Sequence, residues 1–221
     1  MNSIPDVARI LAVVAHPDDE SFGMGALLDR WAGRGAEVVV LCFTHGEAST
    51  LHGSSGDLAT VRTAEFAAAA KILGIGRTEL LDYPDGLLSD VDAAELTEHV
   101  RRLAVEVRPS HLLAFDVGGV TGHPDHDRAT AVALVAAAAL ALPVWGWAVP
   151  QEVAARLNSE FGTAFRGRPP SELAWTLQVD RTRQWQAIAA HASQSGDNPV
   201  LVRRLELLGD LEYLRVLADP P

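Results

Sequence analysis

Ile10 to Ala15 is an unbroken apolar run, rich in Val and closed by His16-Pro17. It is too short for a typical helix and lacks the alternation of a half-exposed strand, so it predicts a central parallel strand buried on both faces. A helical stretch from about Gly23 to Ala32 follows, ending at Gly33 and Gly35, and a second buried run spans Glu37 to Phe43. Strand, helix and strand in this order make one βαβ unit.

The pattern continues. An Ala-rich helix is predicted from about Leu58 to Leu73, a short strand near Leu80, a helix from about Ala93 to Val107 and a strand from about His111 to Phe115. Beyond them come an Ala-rich helix over Ala129 to Leu142, strands at Val144 to Val149 and Leu173 to Val179, a helix from about Arg181 to His191 and a last amphipathic helix from about Val200 to Leu217. Alternating strands and helices imply an α/β fold: a three-layer, Rossmann-like arrangement with a mostly parallel sheet covered on both faces. Neither a repeat nor a clear linker interrupts it, so one domain over 1–221 is expected. Ligands of such sheets bind at the carboxyl ends of the strands. Attention therefore falls on the turn after the first strand and on the loops Thr44 to Gly56 and Asp116 to Gly122.

Composition removes several classes of function. With 18 Lys and Arg against 29 Asp and Glu, a net charge of −11, the 221-residue chain lacks the basic excess that a phosphate backbone requires. No nucleic acid and no anionic membrane is expected as partner. The single cysteine, Cys42, lies inside an apolar strand, which predicts a buried thiol and a reducing compartment. Met1 to Arg9 has no secretory pattern, and the Ala129 to Leu142 run is too short to span a membrane, so a cytoplasmic location is expected.

The chemistry sits in two turns. Ala15-His16-Pro17-Asp18-Asp19-Glu20 follows the first strand, and Gly122-His123-Pro124-Asp125-His126-Asp127 follows the strand ending at Phe115. His-Pro-Asp occurs in both, each time between a predicted strand and a predicted helix, and each histidine is followed three residues later by a second metal-capable side chain, Asp19 or His126. Residues so spaced meet on one face of a helical first turn. Pro and acids at a helix start are ordinary helix chemistry, which accounts for the carboxylates but not for histidines at equivalent places in both turns. Two such turns at one sheet edge favour a metal site. His16, Asp19, His123 and His126 are its candidate ligands.

Imidazole and carboxylate without thiolate suit catalytic zinc or a related divalent transition metal, Fe2+ among them, better than calcium or magnesium. Such an ion brings the pKa of water to near ~7, and an adjacent free carboxylate can take the proton, so hydrolysis is the natural reaction.

These motifs resemble those of the LmbE-like or PIG-L de-N-acetylases. The resemblance rests on A-H-P-D-D-E at 15–20 and T-G-H-P-D-H at 121–126, with T-x-G-E at Thr44 to Glu47, R-x-x-E at Arg62 to Glu65, Leu73-Gly74, P-D-G at Pro84 to Gly86 and H-x-S-Q at His191 to Gln194. It implies that His16, Asp19 and His126 hold zinc and that Asp18 is the general base activating water. It also implies that His123 stays off the metal, stabilising the oxyanion or protonating the leaving amine, with Asp125 orienting it. The implied reaction removes an acetyl group from an N-acetylglucosamine-type sugar or glycoconjugate. Two rivals are an amidase on a larger N-acyl, thiol-conjugate or natural-product substrate, and a non-catalytic metal- or sugar-binding module. Members of the family occur as monomers and as trimers or hexamers, so a homo-oligomer is among the states the resemblance allows.

The resemblance further implies a substrate contact for Arg62 and, through H-x-S-Q, an active-site place for His191; Asp85 in its turn is expected to bind a sugar hydroxyl and Glu47 to line the pocket. Three of these have a plainer reading: a helix-surface ion pair of Arg62 with Glu65, a Pro-Asp-Gly turn for Asp85 and a helix C-cap for His191. His45 and His52 read as loop residues, His99 and His111 as structural. Thr121 departs from the tyrosine of the mycothiol branch. Trp145, Trp147, Trp175 and Trp185 are read as core residues more readily than as walls of a sugar pocket.

Overall fold

A computed structural model describes residues 7–50 and 57–219. Five parallel strands carry the frame: β1 (Arg9–Val14), β2 (Glu37–Thr44), β3 (Arg77–Tyr83), β4 (His111–Phe115) and β5 (Val144–Pro150). β6 (Gly167–Arg168) pairs with the end of β5, and β7 (Trp175–Gln178) and β8 (Leu211–Ala218) complete an eight-stranded sheet. Its order is β3-β2-β1-β4-β5-β8-β7, with β8 antiparallel to both neighbours. β1 lies between β2 and β4, so the chain reverses its direction of growth at β1 and opens a crevice at the carboxyl ends of β1 and β4.

Successive side chains of a strand point to opposite faces, and the core divides accordingly. Ile10, Ala12, Val14, Val38, Val40 and Cys42 face one layer, built on α2 (Gly25–Ala32), α3 (Leu58–Leu73) and α6 (Gln151–Phe161). Leu11, Val13, Val39, Leu41, Phe43 and Leu112 face the other, built on α4 (Ala93–Val107) and α5 (Pro124–Leu140). The Cys42 thiol is fully buried, as its apolar strand requires, and burial pushes its pKa up. Among the described residues no helix is long and apolar enough to cross a membrane.

Three local differences from the sequence reading have physical causes. The stretch near Gly23 splits into a four-residue helix α1 (Asp19–Phe22) and α2, because Gly23 lies so close to Phe115 that a Cβ there would sit 2.7 Å from its ring. α6 was legible in Val153, Ala154 and Leu157, the buried stripe of an amphipathic turn, but was not assigned. The expected last helix, Val200 to Leu217, is two elements. α9 (Pro199–Leu208) stops at Gly209, whose φ of 55° and ψ of −131° break the helix, and Leu211 onward pairs with β5 and β7 as β8. A Leu-rich run fits both periods, and pairing with two exposed strand edges decides it. The remaining helices, α7 (Thr182–Ala190) and α8 (Ala192–Ser195), meet at His191. Trp145 and Trp147 are buried in the core, Trp175 is half-buried, and Trp185 is exposed.

Candidate metal centre and active site

The turn after β1 is bent sharply. Asp18 has φ 118° and ψ −27°, a conformation L residues rarely adopt, and it starts α1, so that Asp19 turns back under the strand. Asp19 Oδ2 accepts the backbone N–H groups of Ala15 at 3.1 Å and His16 at 3.0 Å. After β4, Gly118, Gly119 and Gly122, all at positive φ, carry the chain to His123, whose Nδ1 accepts the Asp125 N–H and caps α5. Pro124 follows at the first helical position, where a missing N–H costs nothing. His126 then faces back into the crevice.

Donor atoms of His16, Asp19 and His126 approach one another there, and His123 stands within 4.8 Å of both histidines by a ring nitrogen. His16 Nδ1 and His126 Nε2 are 3.1 Å apart, His126 Nε2 and Asp19 Oδ1 3.1 Å, and His16 Nδ1 and Asp19 Oδ2 3.8 Å. Two ligands about 2.1 Å from one tetrahedral ion are about 3.4 Å apart, so the spacing fits a divalent transition metal. The far side of each ring is held as well. His16 Nε2 lies 2.9 Å from Asp85 Oδ1 and 3.3 Å from Asp125 Oδ2, and His126 Nδ1 lies 2.8 Å from Thr121 Oγ1 and 3.3 Å from the Gly119 carbonyl. Protons donated outward leave both inner lone pairs aimed at one point, the usual arrangement behind metal-bound imidazoles. Burial disfavours a charged His16, yet the hydrogen bonds of Asp125 and Asp85 and the charge of Asp19 prevail and raise its pKa to about 10. The pocket is built to hold positive charge.

Asp18 points elsewhere. Its Oδ2 accepts from Arg62 Nη2 at 3.0 Å, and partial burial pushes its pKa up to about 6 against the pull of Arg62. His123 is close to both metal-site histidines, its ring centroid 4.8 Å from that of His16 and 5.1 Å from that of His126. Burial, then the charges of His16 and His126, lower its pKa.

Several sequence expectations need correction in place. Arg62 forms no surface pair with Glu65. It is buried, with Nη1 on the Gly46 carbonyl at 2.7 Å and Nη2 on Asp18 and the Pro17 carbonyl, while Glu65 accepts from Ser193. Asp125 does not touch His123 with its carboxylate, which accepts from the N–H groups of Gly86 at 2.8 Å and Leu88 at 3.1 Å and faces His16. Asp85 lines the cavity and is engaged by His16 at 2.9 Å and by the Ala48 N–H at 3.0 Å. Glu47 is exposed and accepts the Asp85 N–H at 2.9 Å, bracing that turn. His191 closes α7 but lies outside the cavity wall, fully buried with Nε2 2.7 Å from Glu20 Oε1. His45 pairs with Thr63 and Asp82; His99 and His111 pack on Tyr83 and Trp145. His52 lies outside the described residues.

Two residues were missed by sequence reasoning. Glu20, with no exposed surface, accepts from the Asp18 N–H at 3.0 Å and from His191, tying the bent turn to α7. Its place at the end of A-H-P-D-D-E was the available signal. Arg204 lines the same cavity and had no signal, since Arg203-Arg204 reads as a helix surface. The cavity has a volume of about 780 Å³ and is lined by His16, Asp19 and His126 and by apolar side chains, among them Phe22, Phe165 and Leu201.

A 1D-myo-inositol 2-acetamido-2-deoxy-alpha-D-glucopyranoside deacetylase of Kineococcus radiotolerans is 37% identical over 66% of this chain and 50% of its own length, so the chain spans about half of that relative. The protein of the same name from Nakamurella multipartita is 32% identical over 97% of this chain and 90% of its own. Among solved structures, the A40926 pseudoaglycone deacetylase Dbv21 superposes with a TM-score of 0.75 at 25% identity, covering 95% of this chain and 96% of that one. Residues 11–138, which hold both His-Pro-Asp turns and every donor atom described above, match the family PIG-L, GlcNAc-PI de-N-acetylase. By fold, motif and extent of match, the chain belongs to the PIG-L family.

Proposed function

We propose that this chain is a zinc-dependent hydrolase that removes the acetyl group from an N-acetylglucosamine-type sugar or glycoconjugate. The observation that carries the reading is the division of labour among neighbouring carboxylates. Asp19 Oδ1 lies 3.1 Å from His126 Nε2, which lies 3.1 Å from His16 Nδ1, while Asp18, next in the chain, lies on Arg62 with a pKa raised to about 6. A divalent ion held there supplies the charge that polarises an amide carbonyl and acidifies water near neutral pH.

The chain's own groups do the rest. Asp18 accepts the proton of the attacking water, and Arg62 holds its carboxylate in place. His123 accepts at Nδ1 from the Asp125 N–H, which leaves Nε2–H to donate a hydrogen bond to the developing oxyanion, and the proton that Asp18 takes from water passes to the leaving amine. Asp85 and Asp125 orient His16; Thr121 orients His126. Relatives named as deacetylases of an acetamido-glucopyranoside inositol support this substrate class. A cavity of about 780 Å³ with apolar side chains in its lining also favours, as a second reading, an acyl group larger than acetyl.

The test is metal analysis of the purified protein followed by an assay for free amine on N-acetylglucosamine and N-acetylglucosaminyl-inositol. Equimolar metal and chelator-sensitive amine release are expected. Bound metal without turnover on any N-acyl sugar would leave only the binding-module reading.

A further inference from the structure

Arg204, on α9, lines the cavity together with Phe22, Phe115, Phe165 and Leu201. It is 5% exposed. Of its three guanidinium nitrogens only Nη2 has a partner among the described residues, the Phe22 carbonyl at 2.5 Å, and Nε is buried with none. The group lies 5.2 Å from the centre of the Trp147 ring.

No carboxylate of the described residues lies within ion-pair distance of it. The other buried arginines of this region differ: Arg62 has Asp18, and Arg181 has Glu212. The charges of Glu212, Asp19 and Asp18 reach Arg204 through space, but each is in contact with another group: Glu212 with Arg181 at 2.5 Å and the Trp147 indole N–H at 2.8 Å, Asp19 with His126 at 3.1 Å and Asp18 with Arg62 at 3.0 Å. A buried cation without a counter-charge is costly and is ordinarily matched by a partner. Burial pushes the Arg204 pKa down to about 10.

The location sets what the counter-charge is. Phe22, whose carbonyl holds Arg204, closes α1, the helix that Asp19 opens, and Arg204 lines the same cavity as His16, Asp19 and His126. We infer that Arg204 is an anion-binding residue of the substrate pocket, receiving an oxyanion carried by the substrate beside an apolar group while the amide lies at His16, Asp19 and His126. This deepens the reading above and rests on it for the word substrate. A carboxylate is the form that the planar donor fork accepts best, and a phosphate shares its chemistry.

Calorimetric titration of the metal-loaded protein tests it, with 3-phenylpropionate, its neutral isostere 3-phenylpropionamide and inorganic phosphate as probes. The carboxylate is expected to bind at least about tenfold tighter than the amide, as a charge-assisted hydrogen bond implies. Arg204→Met should abolish that difference, and Arg204→Lys, which keeps the charge, should retain part of it. Phosphate binding with the same dependence on Arg204 identifies a phosphorylated substrate, and its absence a carboxylated one. Equal binding of acid and amide by the wild type overturns the inference. So does a difference that survives in Arg204→Met, because the anion then sits on the metal. If Arg204→Met does not fold, as judged by circular dichroism, the wild-type difference and a several-fold loss in Arg204→Lys decide the matter. In a second arm, turnover of N-acetylmuramate relative to N-acetylglucosamine should fall about tenfold in the variant. Arg204-dependent binding without turnover of any amide refutes the hydrolase and keeps the anion site, whereas turnover without charge-dependent binding does the reverse.

Discussion

His16 Nε2 and Asp85 Oδ1 lie 2.9 Å apart, and this contact puts Asp85 behind the metal site. Carboxylates in that position fix the ring and raise its basicity, and their loss typically weakens metal binding about 10–100-fold. Asp85→Asn is therefore expected to lower metal affinity by that order in competition with a chelator, with little change in KM at saturating metal. A large rise in KM at unchanged metal affinity would return Asp85 to direct sugar contact.

Asp18 and His16 should fail differently. Asp18→Asn is expected to keep full metal content and lose turnover by about 10²-fold or more, because the carboxylate stands off the donor cluster and beside Arg62. His16→Ala should lose the metal itself. Elemental analysis and amine release, measured on the same preparations, separate the two, and an active Asp18→Asn enzyme would remove Asp18 from the role of base.

The donors of the site come from distant parts of the chain, His16 and His126 being separated by 110 positions. Such a site exists only in the folded sheet, so binding free energy becomes stability: at a free metal concentration 100 times Kd the gain is about 2.7 kcal/mol. Chelation should lower the thermal midpoint, and readdition of zinc should restore it. A midpoint indifferent to chelator would contradict a preformed metal site.

The buried pair His191–Glu20 gives stability a pH dependence. Burial alone would lower the His191 pKa, but Glu20 outweighs it and the net shift is upward from 6.5. A folded pKa above the unfolded one means a contribution fully present below about pH 6.5 that is lost as pH rises through the folded value. Urea midpoints should therefore decline above neutrality in the wild type. In His191→Gln the decline should flatten, with a loss on the order of 1–3 kcal/mol at pH 6. An unchanged slope would show that the pair carries no proton linkage.

What the sequence made legible was local. The two His-Pro-Asp turns each set two candidate ligands within three residues, and buried Val-rich runs set β1 and β2, so the parallel sheet and the nearness of His16, Asp19, His123 and His126 at its edge could be reasoned out. The partners of Asp85, Asp125 and His191 depend on how separate loops lie against each other, which spacing does not encode. β8 was hidden because Leu-rich segments satisfy helix and strand periods alike. Arg204 was hidden because its exposed neighbour Arg203, paired with Glu160 and Glu206, gives that turn of α9 a surface character.

The bent backbone at Asp18 sets catalysis against robustness. Positive φ at a residue with a Cβ stores on the order of 1–3 kcal/mol, and glycine alone escapes it. Elsewhere in a chain alanine is usually the more stabilising of the two small residues; at position 18 the order should invert, with Asp18→Gly unfolding at higher urea than Asp18→Ala although neither turns over substrate. A selection for thermal endurance alone would drift toward glycine here and arrive at a hardier, inert protein.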